Sequence, residues 1–121
     1  AAALALPVNR LEAEEDADGR WRRHVNEALA GPYRGLFDRI HMLIQFVAPD
    51  FATVRRWRAE QEDKLRTLRR HGASGDDRIM DDAALARFLD HYERLTNHIA
   101  REMPARADIV LYLGRDRAVI G

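Results

Sequence analysis

The sequence predicts an α/β chain in which two buried strands belong to a parallel sheet flanked by two long helices. Three observations carry this. Residues 40–48, IHMLIQFVA, and 108–113, DIVLYL, are short and nearly continuous apolar runs of strand length. Between them, residues 51–70 and 82–102 repeat their apolar side chains at helical spacing. The order strand, helix, helix, strand is that of a right-handed crossover between parallel neighbours.

The elements follow in order. Residues 8–20, VNRLEAEEDADGR, hold five acidic side chains, few apolar ones and a glycine, a composition expected of an exposed loop. A helix can begin at Asp18, with Trp21, Val25, Ala28 and Leu29 at helical spacing, and Gly31-Pro32 stops it. A short second helix is expected over 33–39. The first strand, 40–48, closes at Pro49, and its only polar members, His41 and Gln45, share a face with Leu43 and Val47. In the helix 51–70, Val54, Trp57, Leu65 and Leu68 form the stripe expected to be buried. The loop HGASGDDRIM, 71–80, has two glycines and an Asp76-Asp77 pair and reads as the most mobile segment. One helix over 82–102, capped by Asp81 or Asp82 and stopped before Pro104, is expected to bury Leu85, Phe88, Leu89, Tyr92, Leu95, Ile99 and Met103. The second strand ends at Gly114. The chain thus divides into an acidic loop with helices (1–39), a strand-helix-helix-strand unit (40–113) and a tail (114–121), together one partial domain.

Composition narrows the function classes. Twenty basic and 20 acidic residues leave no net charge, so neither a nucleic-acid footprint nor a polybasic membrane patch is supported. The absence of cysteine excludes disulfides, thiolate metal sites and cysteine nucleophiles, and fits a cytoplasmic location. The opening AAALALP is too short for a membrane span and lacks a basic leader. Lys64 is the only lysine among the 20 basic residues, so any single arginine points less sharply to function here. A start at Ala1, and strands whose edges lack cover, lead us to expect that the chain is a fragment of a longer protein. An exposed sheet edge would also offer a second copy a place to pair, giving a homo-oligomer.

A phosphate-binding loop needs spaced glycines and a lysine beside serine or threonine, so that backbone amides and the ammonium hold the phosphates together. Lys64 lies in EQEDKLRT, inside a glycine-free helix, and no such loop is present. On the helix 51–70, Arg55, Glu62, Arg66 and Arg69 share one arc with Arg58 at its border. Such an arc can clamp phosphoryl oxygens through guanidinium forks, or it can be a solvated face with Arg58 and Glu62 paired at i, i+4. Gln61 falls within the apolar stripe, where a buried amide needs partners. His91 and His98 complete no metal-ligand set, and the acidic run Glu12, Glu14, Glu15, Asp16 and Asp18 misses the EF-hand spacing, so no metal site is assigned.

Three stretches read together carry a family resemblance: PVNRLEAEEDADGRWRRHVNEALAGPYRGLF (7–37), APDFATVRRWRAEQEDKLR (48–66) and MDDAALARFLDHYERLTNHIAREMPARADIVLYL (80–113). They resemble consecutive segments of the D-glycerate 3-kinase family of P-loop kinases, most specifically at Trp57, Arg58, Gln61 and Glu62 and in HYERLT, His91 to Thr96. The resemblance implies the C-terminal part of a P-loop kinase-like parallel sheet. It also implies ATP- and Mg²⁺-dependent phosphorylation of a D-glycerate hydroxyl by the intact parent, which would bind glycerate and ATP. Arg58, Gln61, Glu62 and Arg66 would be lid or nucleotide-proximal residues, and Asn9, Glu12, Trp21 and Asn26 would shape the acceptor side. The phosphate-binding loop and the Mg²⁺-holding acids of the family have no counterpart here. No catalysis and no tight binding of ATP or Mg²⁺ are therefore expected of this chain alone, and no residue in it is assigned a catalytic role. A non-catalytic α/β binding or interaction module is the alternative.

Overall fold

A computed structural model describes residues 4–70 and 79–121. It shows a mixed α/β arrangement with a two-stranded parallel sheet. In order, the elements are α1 (Arg10–Glu15), α2 (Arg20–Ala30), α3 (Arg34–Phe37), β1 (Ile44–Val47), α4 (Phe51–Arg70), α5 (Asp82–Asp90), α6 (Glu93–Glu102), a 3₁₀ turn (Met103–Ala105) and β2 (Ile109–Tyr112).

The strands pair in register from Ile44 opposite Ile109 to Val47 opposite Tyr112. The Ile109 amide donates to the Leu43 carbonyl (3.2 Å) and the Leu113 amide to the Val47 carbonyl (2.9 Å). Alternate residues of β1 therefore face β2, and the backbone groups of Ile44 and Phe46 point to the opposite edge, which has no strand partner among the described residues. The paired segments are shorter than the apolar runs 40–48 and 108–113.

The expectation that both faces are buried is not met. Gln45 is buried and its Nε2 donates to the Ile99 carbonyl on α6 (3.1 Å), but Ile44, Phe46 and Ile109 on the other face are exposed, Phe46 by 61%. Helices cover one face only, so a run that reads as doubly buried is here singly buried.

Past β2 the predicted tail folds back. The Gly114 amide donates to the Ala118 carbonyl, the Ile120 amide to the Tyr112 carbonyl, and Leu113 bridges Val119 in antiparallel fashion. Arg117 turns this corner at φ 69°, a left-handed position that favours glycine.

Three further expectations change. The acidic segment 8–20 contains a helix, α1, because the Asn9 side chain accepts the Glu12 amide (3.0 Å) while Glu12 Oε2 accepts the Val8 amide (3.0 Å). This reciprocal capping was written in the sequence as N-x-x-E. The single helix 82–102 is broken at His91-Tyr92 into α5 and α6. No proline or glycine marks the break. His91 Nδ1 lies 2.8 Å from the Arg87 carbonyl that should accept the next helical bond, and the Asp90 carbonyl is taken by Asn9 Nδ2 (2.8 Å).

The third change concerns α4. Its Leu65 and Leu68 are exposed, Leu68 by 61%, while Glu62 is buried with Arg55, Arg58 and Arg66 on the half-covered side. The ionic arc packs inward because α5 and α6 meet it with acids: Arg55 reaches Asp90 and Glu93, and Arg66 reaches Asp82. Val54 and Trp57 remain half-covered, so matched charges replace only the Leu65 and Leu68 end of the apolar stripe.

Among the described residues only Leu85 and Leu89 are buried hydrophobics, whereas Asp16, Arg22, Gln45, Thr53 and Glu62 are buried polar groups. Of the remaining apolar residues expected on the buried face of 82–102, Phe88, Tyr92 and Ile99 are exposed. The loop 71–80 lies outside the described residues except for Ile79 and Met80.

Candidate functional site

Two clusters collect the side chains that the sequence singled out. The first lies where α4 leaves the carboxyl end of β1 and meets the turn that follows β2. Asp50 starts α4, its carboxylate accepting the Thr53 amide at 2.6 Å. The Thr53 hydrogen bonds, with smaller help from the Arg115 and Arg56 charges, hold the Asp50 carboxyl below its ordinary value. One turn later, Trp57 Nε1 (3.0 Å) and Arg56 Nη2 (2.5 Å) both donate to the Arg115 carbonyl, fastening the post-β2 turn to the helix. The Arg117 guanidinium then lies 5.5 Å from the Trp57 ring centroid and 2.5 Å from a Glu60 oxygen.

Beside this clasp, Val54, Trp57, Arg58, Gln61, Lys64 and Arg117 line a groove of about 410 Å³. Arg58 bonds the Gln61 side-chain carbonyl and sits 3.0 Å from Glu62 Oε1. Glu62 is buried, and its Oε2 meets no hydrogen-bond partner among the described residues. An acid so enclosed with one guanidinium is a costly arrangement to break, because either partner left alone is a buried, uncompensated charge. Gln61, read from the sequence as a buried amide, is exposed. Arg66 lies apart from this groove, donating to Asp63 (2.9 Å), Asp82 (2.9 Å) and the Met80 carbonyl (2.6 Å). Of the four residues assigned to a lid, Arg58, Gln61 and Glu62 are together, and Arg66 faces α5.

The second cluster joins α1 to the α5-α6 break. Asn9 Nδ2 donates to the Asp90 carbonyl and to Glu93 Oε2 (3.1 Å). Arg94 forks onto Glu12, Nε to Oε1 at 2.8 Å and Nη2 to Oε2 at 2.6 Å, and also donates to the Leu6 carbonyl. The Arg94 hydrogen bonds hold the Glu12 carboxyl below its ordinary value against the opposing effect of burial. Nearby, burial pushes the Asp16 carboxyl up, but the amides of Trp21 and Arg22 and the Arg22 guanidinium outweigh it and leave the group lowered.

Asn9 and Glu12, two of the four residues assigned to an acceptor side, are thus brought together. Each is already engaged in holding helices. Trp21 is exposed with its ring against His24, Asn26 is exposed further along α2, and neither makes a hydrogen bond or ring contact with that junction. Among the described residues no group of three or more acids or histidines is arranged to hold a metal, and no helix is long and apolar enough to cross a membrane. Four acids of the 12–18 run are paired, Glu12 with Arg94, Glu14 with Arg10, Glu15 with Arg87 and Asp16 with Arg22, while Asp18 accepts the Arg20 amide.

Lys64 and Arg117 were not singled out as site residues by the sequence. Lys64 stood out only as the one lysine, and Arg117 carried no signal, since the hairpin that brings it to α4 is a tertiary event. Compared with family models, curated proteins and solved structures, the chain matches none.

Proposed function

We propose that this chain is the C-terminal portion of an ATP-dependent small-molecule kinase whose intact parent phosphorylates a hydroxyl of D-glycerate, and that it is inactive alone. The observation that carries the reading is the parallel pairing of β1 and β2 with α4 rising from the carboxyl end of β1, set beside the three family-like stretches. In open α/β sheets ligands bind outside the carboxyl ends of strands. Arg58 and Gln61 stand on α4, the helix that follows β1, where charge on a transferred phosphoryl group would be met by guanidinium donors. The sheet edge formed by Ile44 and Phe46 gives a strand of the parent a place to pair, extending the two strands into a P-loop kinase-like sheet.

The test is made on the full gene product. It should contain a GxxxxGK[ST] element before residue 1, and it should consume ATP only when D-glycerate is supplied, forming 3-phosphoglycerate. A full-length product without that motif, or one whose ATP consumption ignores D-glycerate, refutes the reading.

The open apolar face of Ile44, Phe46 and Ile109 favours a second reading, a non-catalytic α/β interaction module. Saturable binding of a protein partner, with neither ATP nor D-glycerate affecting the full-length product, would establish that alternative.

A further inference from the structure

We propose that the groove between α4 and the post-β2 turn binds a small molecule that carries a phosphate or carboxylate on a flat apolar body. The inference goes beyond the kinase reading and does not depend on it. One wall is the part of α4 from Val54 to Lys64, on the helix that follows β1, and the other is Arg117 in the turn that follows β2. A volume of about 410 Å³ suits a small ligand.

The lining sorts into two chemistries. Val54 and the Trp57 ring give an apolar wall; Arg58, Lys64 and Arg117 give three cations beside the Gln61 amide, of which Arg58 is paired with Glu62 and Arg117 with Glu60. Arg58 holds the Gln61 carbonyl, which leaves the Gln61 amide nitrogen as a donor. Lys64 has no carboxylate partner among the described residues. Arg117 is held at the groove by a left-handed residue conformation in a turn clasped through the Arg115 carbonyl. A long charged side chain in a position that favours glycine is the kind of local strain that accompanies ligand clamps. Glu60 occupies part of the Arg117 fork and leaves other guanidinium hydrogens to donate.

The test is isothermal titration of the 121-residue chain with phenyl phosphate, benzoate, inorganic phosphate and benzyl alcohol. Either ring-bearing anion should bind at least roughly tenfold more tightly than phosphate or the neutral alcohol, and the stronger of the two names the oxyanion. Lys64→Gln and Arg117→Gly should each weaken that binding roughly tenfold, the worth of one charge-assisted hydrogen bond. Arg117→Gly suits the turn's left-handed backbone, so its circular dichroism should match the parent's. Undiminished binding in both variants, equal affinity for inorganic phosphate and phenyl phosphate, or no heat with any probe would overturn the assignment.

Discussion

Replacing Glu12 by Gln tests the junction that ties the first helix to the last. Glu12 and Arg94 are 82 residues apart, both side chains are largely buried (13% and 16% exposed), and two charge-assisted hydrogen bonds of 2.6 and 2.8 Å join them. The amide keeps one acceptor oxygen, so the substitution removes one such bond and the charge. A charge-assisted bond contributes about 1.5–3 kcal/mol, and we expect a loss of about 2 kcal/mol at pH 7. On a stability of about 5–15 kcal/mol that is readily measured by urea denaturation followed by circular dichroism.

The pH dependence sharpens the test. The Glu12 carboxyl is lowered in the folded chain relative to its ordinary 4.5, chiefly by the Arg94 hydrogen bonds. Its stabilising contribution is therefore fully present above the unfolded value and is lost as pH falls through the folded value. The gap between parent and variant should be widest near neutrality, shrink as the pH falls from the unfolded value, and be lost through the folded value. A gap under about 0.5 kcal/mol at pH 7, the range of an ordinary surface substitution, would show that the pair contributes nothing. An undiminished gap in acid would show that the charge is not what matters.

Other outcomes follow from the same packing. Leu89→Ala should cost about 2–5 kcal/mol in urea denaturation because its side chain is buried, while Leu68→Ala on the open side of α4 should stay within about 0.5 kcal/mol. Asn9→Asp keeps the oxygen that caps α1 but loses the amide donated to Asp90 and Glu93, and should cost about 1–3 kcal/mol, read as a lower denaturation midpoint. Arg22→Lys should cost about 2 kcal/mol or more by the same measurement, since one ammonium cannot reproduce a fork that reaches Asp16 and the Leu4 and Ala5 carbonyls. Arg58→Ala should lower the denaturation midpoint because it strands the buried Glu62 carboxylate, with the loss tempered by the partial exposure of Arg58.

The sequence by itself determined the elements whose signals are local. The helix 51–70 has the stated limits, the Gly31-Pro32 stop ends α2 at Ala30, Asp81 caps α5 through the Ala84 amide, and each of the two apolar runs contains a strand. Each rests on backbone preferences and apolar runs that neighbours in the chain suffice to set. Local signal also existed where it went unread, in the N-x-x-E capping of α1.

Only the tertiary structure decided which face of α4 packs, where the 82–102 helix breaks, and which side chains share a groove. Helical periodicity identifies two faces but cannot say which one a neighbour will meet. Here the acids Asp82, Asp90 and Glu93 draw the arginine-bearing face inward and leave Leu65 and Leu68 outside. The break at His91-Tyr92 depends on Asn9, more than 80 residues earlier in the chain, taking the Asp90 carbonyl. Arg117 comes to Trp57 because the hairpin after β2 folds back and is clasped at Arg115. Each of these is a contact between distant segments, fixed by three-dimensional proximity rather than by the residues on either side.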